Sequence, residues 1–105
     1  MLDNDEISVP LVLHLIRSLW NHLKGAKRQY ILDCVKERCV DVGRVIPSTF
    51  DQTVQKAFND HNSDRAGITP KQPLFHCGGK LGSGRWELHH DAAKAWMAKR
   101  GYDLA

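Results

Sequence analysis

The stretch that begins at Ser48 carries side chains whose chemistry suits contact with DNA. A Gln side chain can bond bidentately to adenine, Lys can reach guanine or phosphate, and Ser and Thr hydroxyls can bond to either. The candidates are Ser48, Thr49, Gln52, Thr53 and Lys56. We expect Gln52, Thr53 and Lys56 to face base edges. Ser48 and Thr49 would contact phosphate at a helix start, where N–H groups favour anions. The competing interpretation is an amphipathic helix whose outer face is only polar.

A second candidate site lies in residues 78–84, which contain four glycines in seven residues. Glycines let a backbone approach a ligand closely, and neighbouring cations and hydroxyls can hold phosphate. The side chains concerned are Lys80, Ser83 and Arg85. A surface turn with incidental charges is the alternative. Lys27 and Arg28 are secondary phosphate candidates, and a solvated helix face is the other interpretation of their charges.

A metal site is the competing chemistry for His76, Cys77, His89 and His90. Zinc binds His and Cys, but structural zinc sites pair their ligands at spacings such as C-x₂₋₄-C. His89 and His90 are adjacent and would point to opposite faces of a strand. Cys77 alternates with Phe75 and is expected to face the core as a small apolar side chain. We therefore expect no metal site here.

Nucleophilic or acid–base catalysis requires a base, a group that orients it, and a pocket. Asp60, His61 and Asn62 are chemically suitable, but three successive residues at a helix end diverge. The glycine-rich stretch is flanked by strands rather than followed by a helix, so it does not match a P-loop. The sequence favours a protein without enzymatic activity or a cofactor.

Length and composition are those of one small domain. The chain has 105 residues and a net charge of +3, which permits contact with nucleic acid without requiring it. No apolar run reaches the roughly 18 residues that span a bilayer, and the N-terminus is acidic rather than signal-like. The three cysteines are odd in number and poorly spaced for a disulfide framework, so we expect a reducing cytoplasm.

Hydrophobic periodicity and capping residues predict an α+β fold that is mostly helical. A disordered tail over 1–8 is expected before a single domain over 9–105. The predicted helices cover 10–23, 26–40, 48–60 and 91–100. The third helix starts with a capping-box-like pair, Ser48 and Asp51. The predicted strands cover 74–77 and 85–88, after a long loop over 61–73.

The predicted packing of these elements rests on their apolar positions. The first helix is apolar on more than one side, which indicates central packing, with a homodimer contact through 10–23 as the alternative. Trp20, Trp86 and Trp96 occupy apolar positions and are expected in the core rather than stacked on bases. The loop over 61–73 is where the hairpin could swing away from the preceding helix.

Two stretches of the chain carry recognisable motifs. One consists of Phe75 and Gly82-Ser83-Gly84-Arg85-Trp86-Glu87-Leu88, and the other is Ile46-Pro47-Ser48-Thr49-Phe50, leading into Val54 and Phe58. The first resembles the wing, and the second the recognition helix, of small winged helix-turn-helix domains that accompany bacterial restriction and modification proteins. The resemblance covers residues 27–88 and leaves out the first and last predicted helices.

The resemblance implies a winged helix-turn-helix of three helices and a two-stranded wing, with an extra C-terminal helix. It also implies non-enzymatic binding of double-stranded DNA, as a transcriptional regulator or an accessory to a nuclease or modification system. With about four to six phosphate contacts, affinity is expected to fall steeply with salt. The alternative is a protein–protein interaction module on the same scaffold, with the helix over 10–23 as its contact.

Overall fold

The structure, a computed structural model, describes residues 10–63, 73–77 and 84–102. Within these ranges the elements are α1 (Leu11–Leu19), β1 (Ala26–Lys27), α2 (Arg28–Asp41), α3 (Phe50–Asp60), β2 (Phe75–His76), β3 (Arg85–Leu88) and α4 (His90–Arg100). The strands form an antiparallel sheet in the order β1-β3-β2. The predicted α+β, mostly helical class is confirmed. The predicted tail over 1–8 and residues 64–72 of the predicted loop lie outside the described ranges.

Helix α1 is the centre of the core. All nine of its residues are buried, and it packs against α2, α3 and β3. The prediction of central packing is confirmed, although the helix ends at Leu19 rather than at residue 23. Turns connect α1 to β1. In them, the His22 amide donates to the Leu19 carbonyl, and the Gly25 amide donates to the His22 carbonyl. The core accounts for the apolar side chains of Leu11–Leu19, while Leu23 is exposed, and the homodimer contact through 10–23 stays a prediction.

Strand β1 was not expected, because residues 26 and 27 were predicted to belong to a helix. Ala26 pairs instead with Trp86, and Lys27 pairs with Arg85. Gly25 makes this approach feasible, since its φ is +79° and a Cβ there would lie 2.2 Å from Glu87 Cγ and 2.5 Å from the Trp86 carbonyl oxygen. A glycine predicted to stop a helix therefore brings β1 against β3, and α2 begins only at Arg28.

Helix α3 begins at Phe50, two residues later than predicted. Its N-cap is Thr49, which makes no side-chain capping bond, so the predicted capping pair of Ser48 and Asp51 is wrong. The predicted buried stripe is present, since Phe50, Val54 and Phe58 are all buried. Residues 42–49 connect α2 to α3, a longer connection than the roughly 3–4-residue turn of helix-turn-helix proteins.

The hairpin strands stay beside α3. The Phe58 ring stacks on Trp86 at 4.1 Å and on Phe75 at 5.0 Å between centroids. The His61 carbonyl accepts bonds from the Leu74 and Phe75 amides, at 2.9 and 3.0 Å. The two ends of the predicted loop are therefore held together, and the hairpin is not swung away from the helix that precedes it.

Helix α4 closes the other end of the core with Ala93, Trp96 and Met97. It begins at His90 and ends at Arg100, and the next residue, Gly101, caps it with a φ of 76°, the left-handed conformation expected of a terminating glycine. Trp86 and Trp96 are buried and Trp20 is half-buried against the core, which confirms the packing predicted for all three tryptophans.

Candidate nucleic-acid interface

The outer face of α3 presents the hydrogen-bonding groups predicted to contact DNA. The exposed side chains are Gln52, Thr53 and Lys56 on α3, with Ser48 and Thr49 exposed just before it. Lys56 is the one cation of α3, and its Nζ lies 2.8 Å from Asp60 Oδ2. The Thr53 hydroxyl donates to the Thr49 carbonyl at 3.0 Å. The face is therefore polar, but the charge of its lysine is compensated within the helix.

Cations gather instead where β1 meets β3. We call Lys24, Lys27, Arg28 and Arg85 the cationic edge. Lys27 and Arg85 are directly opposite in the antiparallel register, and both are exposed. Like charges in this arrangement repel and destabilise a sheet. A bound polyanion would relieve that repulsion.

Arg85 is positioned by the turn that precedes β1. Its Nε donates to the Lys24 carbonyl at 2.9 Å, and its Nη2 donates to the Gly25 carbonyl at 3.4 Å. These bonds hold the guanidinium at the Lys24–Gly25 turn that precedes β1. The predicted wing residue therefore helps to build the cationic edge as well as being a candidate phosphate contact.

Arg28 links the cationic edge to α3. Its guanidinium lies over the Trp86 ring at 5.8 Å from the centroid, and its Nε donates to Gln55 Oε1. Its amide also donates to the Gly84 carbonyl at 2.8 Å. This half-buried side chain has a positioning role that the sequence did not predict, and it places the cationic edge beside the α3 face.

An acidic side chain borders the cationic edge on the same face of the sheet. Glu87 lies two residues beyond Arg85. Its carboxylate is 3.4 Å from His76 Nδ1, and its carboxyl carbon lies 3.2 Å from the position that a Cβ on Gly25 would take, so the acid reaches the turn beside Lys24 as well as β2. In the part of the chain that the structure describes, Lys24 and Lys27 form no ion pair. Their charges are therefore available to a partner.

The sequence-based selection of candidates was incomplete at this edge. Lys80 and Ser83 lie outside the described residues, so their predicted contacts stay predictions. Lys24 is absent from the predicted site because the sequence predicts that the first helix ends at Lys24 and Gly25. The signal available in the sequence was the concentration of three cations in Lys24-Gly25-Ala26-Lys27-Arg28.

The histidines considered for a metal site take part in other contacts. His76 and His89 stack with centroids 4.4 Å apart, while His90 Nε2 lies 2.8 Å from the Trp20 carbonyl oxygen. Buried Cys77 accepts a bond from Asn62 Nδ2 at 3.2 Å. Among the described residues, no group of three or more His, Cys, Asp or Glu side chains is arranged to hold a metal ion.

The three residues considered for catalysis diverge as expected. Asp60 pairs with Lys56, the His61 ring meets Phe75 edge-on, and Asn62 is fully buried against Cys77. The structure therefore does not assemble these three side chains around a common reacting atom. The absence of enzymatic activity stays a prediction.

A buried polar residue lies within α1. His14 is 1 % exposed, and neither ring nitrogen has a hydrogen-bond partner within the described ranges. Burial, followed by repulsion from Arg17, Arg44 and Arg38, lowers the pKa of His14 from 6.5 to about 4. Burial also raises the pKa of the Cys39 thiol. His14 is therefore neutral at pH 7, and it rests within the helix that supports both α3 and β3.

Comparisons with known proteins identify no relative. No protein-family model matches the chain, and neither a curated protein nor a solved structure shows significant similarity to it. None of the helices among the described residues is long and apolar enough to cross a membrane.

Proposed function

We propose that this chain is a winged helix-turn-helix module that binds double-stranded DNA and catalyses no reaction. The observation that carries the proposal is the exposed Lys27–Arg85 pair beside the polar face of α3. The element order also supports it, because three helices are followed by a hairpin that packs on the third helix through Phe58. A cytoplasmic role in bacteria, as a regulator or an accessory to a nuclease or modification system, belongs to the same proposal.

The two surfaces have different tasks in this proposal. The cationic edge holds phosphate, with Lys80 and Ser83 as further wing contacts. Helix α3 approaches the major groove, where Gln52 and Thr53 bond to base edges. Ser48 and Thr49 contact phosphate at its start. Phosphate contacts supply affinity and fix the register on the duplex, while base contacts supply sequence preference.

The test is duplex binding followed by fluorescence anisotropy over a range of salt concentrations. The proposal predicts saturable binding that weakens steeply with salt, because each phosphate contact releases counterions. The Lys80→Gln/Arg85→Gln variant should bind every duplex more weakly. Lys94→Gln/Lys99→Gln is the matched control, since both lysines are exposed on α4 and their replacement changes the net charge equally. Equal weakening by the two double variants would remove the wing from the interface.

A protein–protein module is the second candidate. It is favoured by the compensated charge of α3 and by the exposed apolar side chains of Leu23 and Tyr30, which are 81 % and 52 % exposed. Sedimentation equilibrium distinguishes the two proposals. A concentration-dependent dimer without duplex affinity supports this second candidate, whereas a monomer with salt-sensitive duplex binding supports the first.

A further inference from the structure

Arg28, one of the four residues of the cationic edge, is held at three points. Its amide donates to the Gly84 carbonyl at 2.8 Å, its guanidinium lies 5.8 Å from the centroid of the Trp86 ring, and its Nε donates to Gln55 Oε1. The backbone and the guanidinium of this half-buried residue are therefore both anchored. Ordering an arginine side chain costs conformational entropy, so a fixed guanidinium suits a contact that depends on direction.

Gln55 is the residue of α3 that orients this guanidinium. Its Nε2 donates to Asn59 Oδ1 at 3.1 Å, one turn further along the helix. Because a side-chain amide has its donors on nitrogen and its acceptor on oxygen, the bond to Asn59 leaves the oxygen of Gln55 for Arg28. One orientation of the Gln55 amide thus serves both partners, and this chain of bonds connects the start of α2 to the surface of α3.

The Arg28 guanidinium lies beside a side chain of α3 that is proposed to contact bases. Gln55 is three residues after Gln52, and Asn59 is seven residues after it, so the three side chains follow one face of the helix. Gln52 is exposed on that face, and Gln55 is half-buried where it meets Arg28. Arg28 therefore extends the polar face of α3 with a cation from the neighbouring helix.

The bond at Nε leaves the end of the guanidinium available. Within the described ranges, neither Nη group of Arg28 forms a hydrogen bond or an ion pair. Arg85 differs, because its Nε and its Nη2 both donate to the turn before β1. The two Nη groups of an arginine form a planar fork that matches two acceptors on one partner. Guanine presents such a pair, O6 and N7, in the major groove, where arginine binds both in the commonest base-specific contact.

We infer that Arg28 binds a guanine base in the major groove and that Gln55 is the positioning residue that aims it. The inference rests on the proposed function, and it changes the task of one cation of the edge from phosphate to base. Phosphate is the alternative partner, but exposed Lys24 and Lys27 already offer it point charges that need no fixed direction. A guanidinium held at Nε beside Gln52 matches the directional contact.

The test uses a duplex selected from a randomised pool with the wild-type protein. Each guanine of that duplex is replaced in turn by 7-deazaguanine, which lacks the N7 acceptor. One replacement should weaken wild-type binding about tenfold in anisotropy titrations, and the same replacement should have no effect on Arg28→Gln. Lys27→Gln is the matched control, because it removes the same charge from the same edge and should keep the tenfold effect.

The role of Gln55 is tested on the same duplexes. Gln55→Ala should reduce the 7-deazaguanine effect to about threefold or less. Gln29→Ala, which removes an exposed glutamine that bonds to Asp33 within α2, should leave the effect unchanged. Free protein provides a second measurement, independent of DNA. The Arg28 Nε–H signal should be resolved in the NMR spectrum of wild type and lost to solvent exchange in Gln55→Ala.

The outcomes separate this inference from the proposed function. A uniform loss of affinity in Arg28→Gln, with a salt slope shallower by about 0.9 and the 7-deazaguanine effect intact, would assign Arg28 to phosphate and overturn the inference alone. A Gln55→Ala protein with the full 7-deazaguanine effect and a resolved Arg28 Nε–H signal would overturn the positioning role. Wild-type protein that binds no duplex would overturn both the inference and the proposed function.

Discussion

The cationic edge and the outer face of α3 lie side by side, but they differ in how their charges are balanced. On α3, Lys56 is paired with Asp60 one turn away. At the edge, Lys27 is opposite another cation, and Lys24 joins them through its carbonyl bond to Arg85. Under the proposed function, this difference assigns the two surfaces different tasks. The edge would offer charge to the phosphate backbone, and α3 would offer neutral hydrogen-bonding groups to bases.

The largest expected effect comes from removing the Phe58 side chain, which packs α3 against the sheet that carries the cationic edge. Phe58 holds α3 against the sheet through its contacts with Trp86 and Phe75. Phe58→Ala should lower the free energy of unfolding by about 3–5 kcal/mol, the usual cost of emptying a buried phenylalanine site. Chemical denaturation measures this change. A loss below about 1 kcal/mol would show that the two surfaces are held together by other contacts.

Acidic pH should destabilise the fold through His14 of α1, the helix that packs against both α3 and β3. Because the pKa of His14 is about 4 when folded and 6.5 when unfolded, the unfolded chain binds more protons between these values. The stability that His14 contributes is complete above pH 6.5 and is lost as the pH falls toward 4, by about 3 kcal/mol. Denaturation of wild type and His14→Leu at pH 7 and pH 4 measures the difference. If the free energy of unfolding falls equally in wild type and in His14→Leu between pH 7 and pH 4, His14 is not the source of the pH dependence.

Base contacts from α3 should affect preference among duplexes more than general affinity. Gln52→Ala should reduce discrimination between the preferred duplex and its single-base variants by about 1–3 kcal/mol at the contacted position. Selection from a randomised duplex pool, followed by anisotropy on the selected sequences, measures this. Uniform weakening across all sequences would instead assign Gln52 to the phosphate backbone.

The smallest effect is expected from the compensated pair on α3. The Lys56→Gln/Asp60→Asn variant keeps the net charge and removes an exposed pair whose contribution to stability is about 0.3–0.5 kcal/mol. Duplex affinity should change by no more than about threefold. A tenfold loss in anisotropy titrations would show that Lys56 leaves Asp60 to contact DNA, and the contrast between the two surfaces would be wrong.

Sequence patterns predicted the elements better than they predicted the placement of charge. The four helices and strands β2 and β3 follow from periodicity over several residues, and the burial of Phe58 and Trp86 follows from the same patterns. Strand β2 has two residues, like β1, but it lies within the alternating stretch 74–77, whereas β1 follows a glycine that also suits a helix end and its residues were predicted to be helical. Because the Lys27–Arg85 contact exists only once β1 pairs with β3, sequence reasoning assigned these two residues separately.

Buried polar groups were the other feature that the sequence did not reveal. His14 and Ser18 lie in the apolar first helix, and both are buried without partners among the described residues. Periodicity identifies which side of a helix is buried when the other side is polar. Every residue of α1 is buried, so the pattern could not show which of its polar residues would lack a partner.

The most direct test of DNA binding at the cationic edge is the salt dependence of duplex affinity for Lys24→Gln/Lys27→Gln. If both lysines contact phosphate, the slope of log affinity against log salt should become shallower by about 1.8, which is 0.9 for each lost contact. The Lys94→Gln/Lys99→Gln control should keep the wild-type slope. The same slope in all three proteins, or no salt-sensitive duplex binding by wild type, would contradict phosphate binding at this edge.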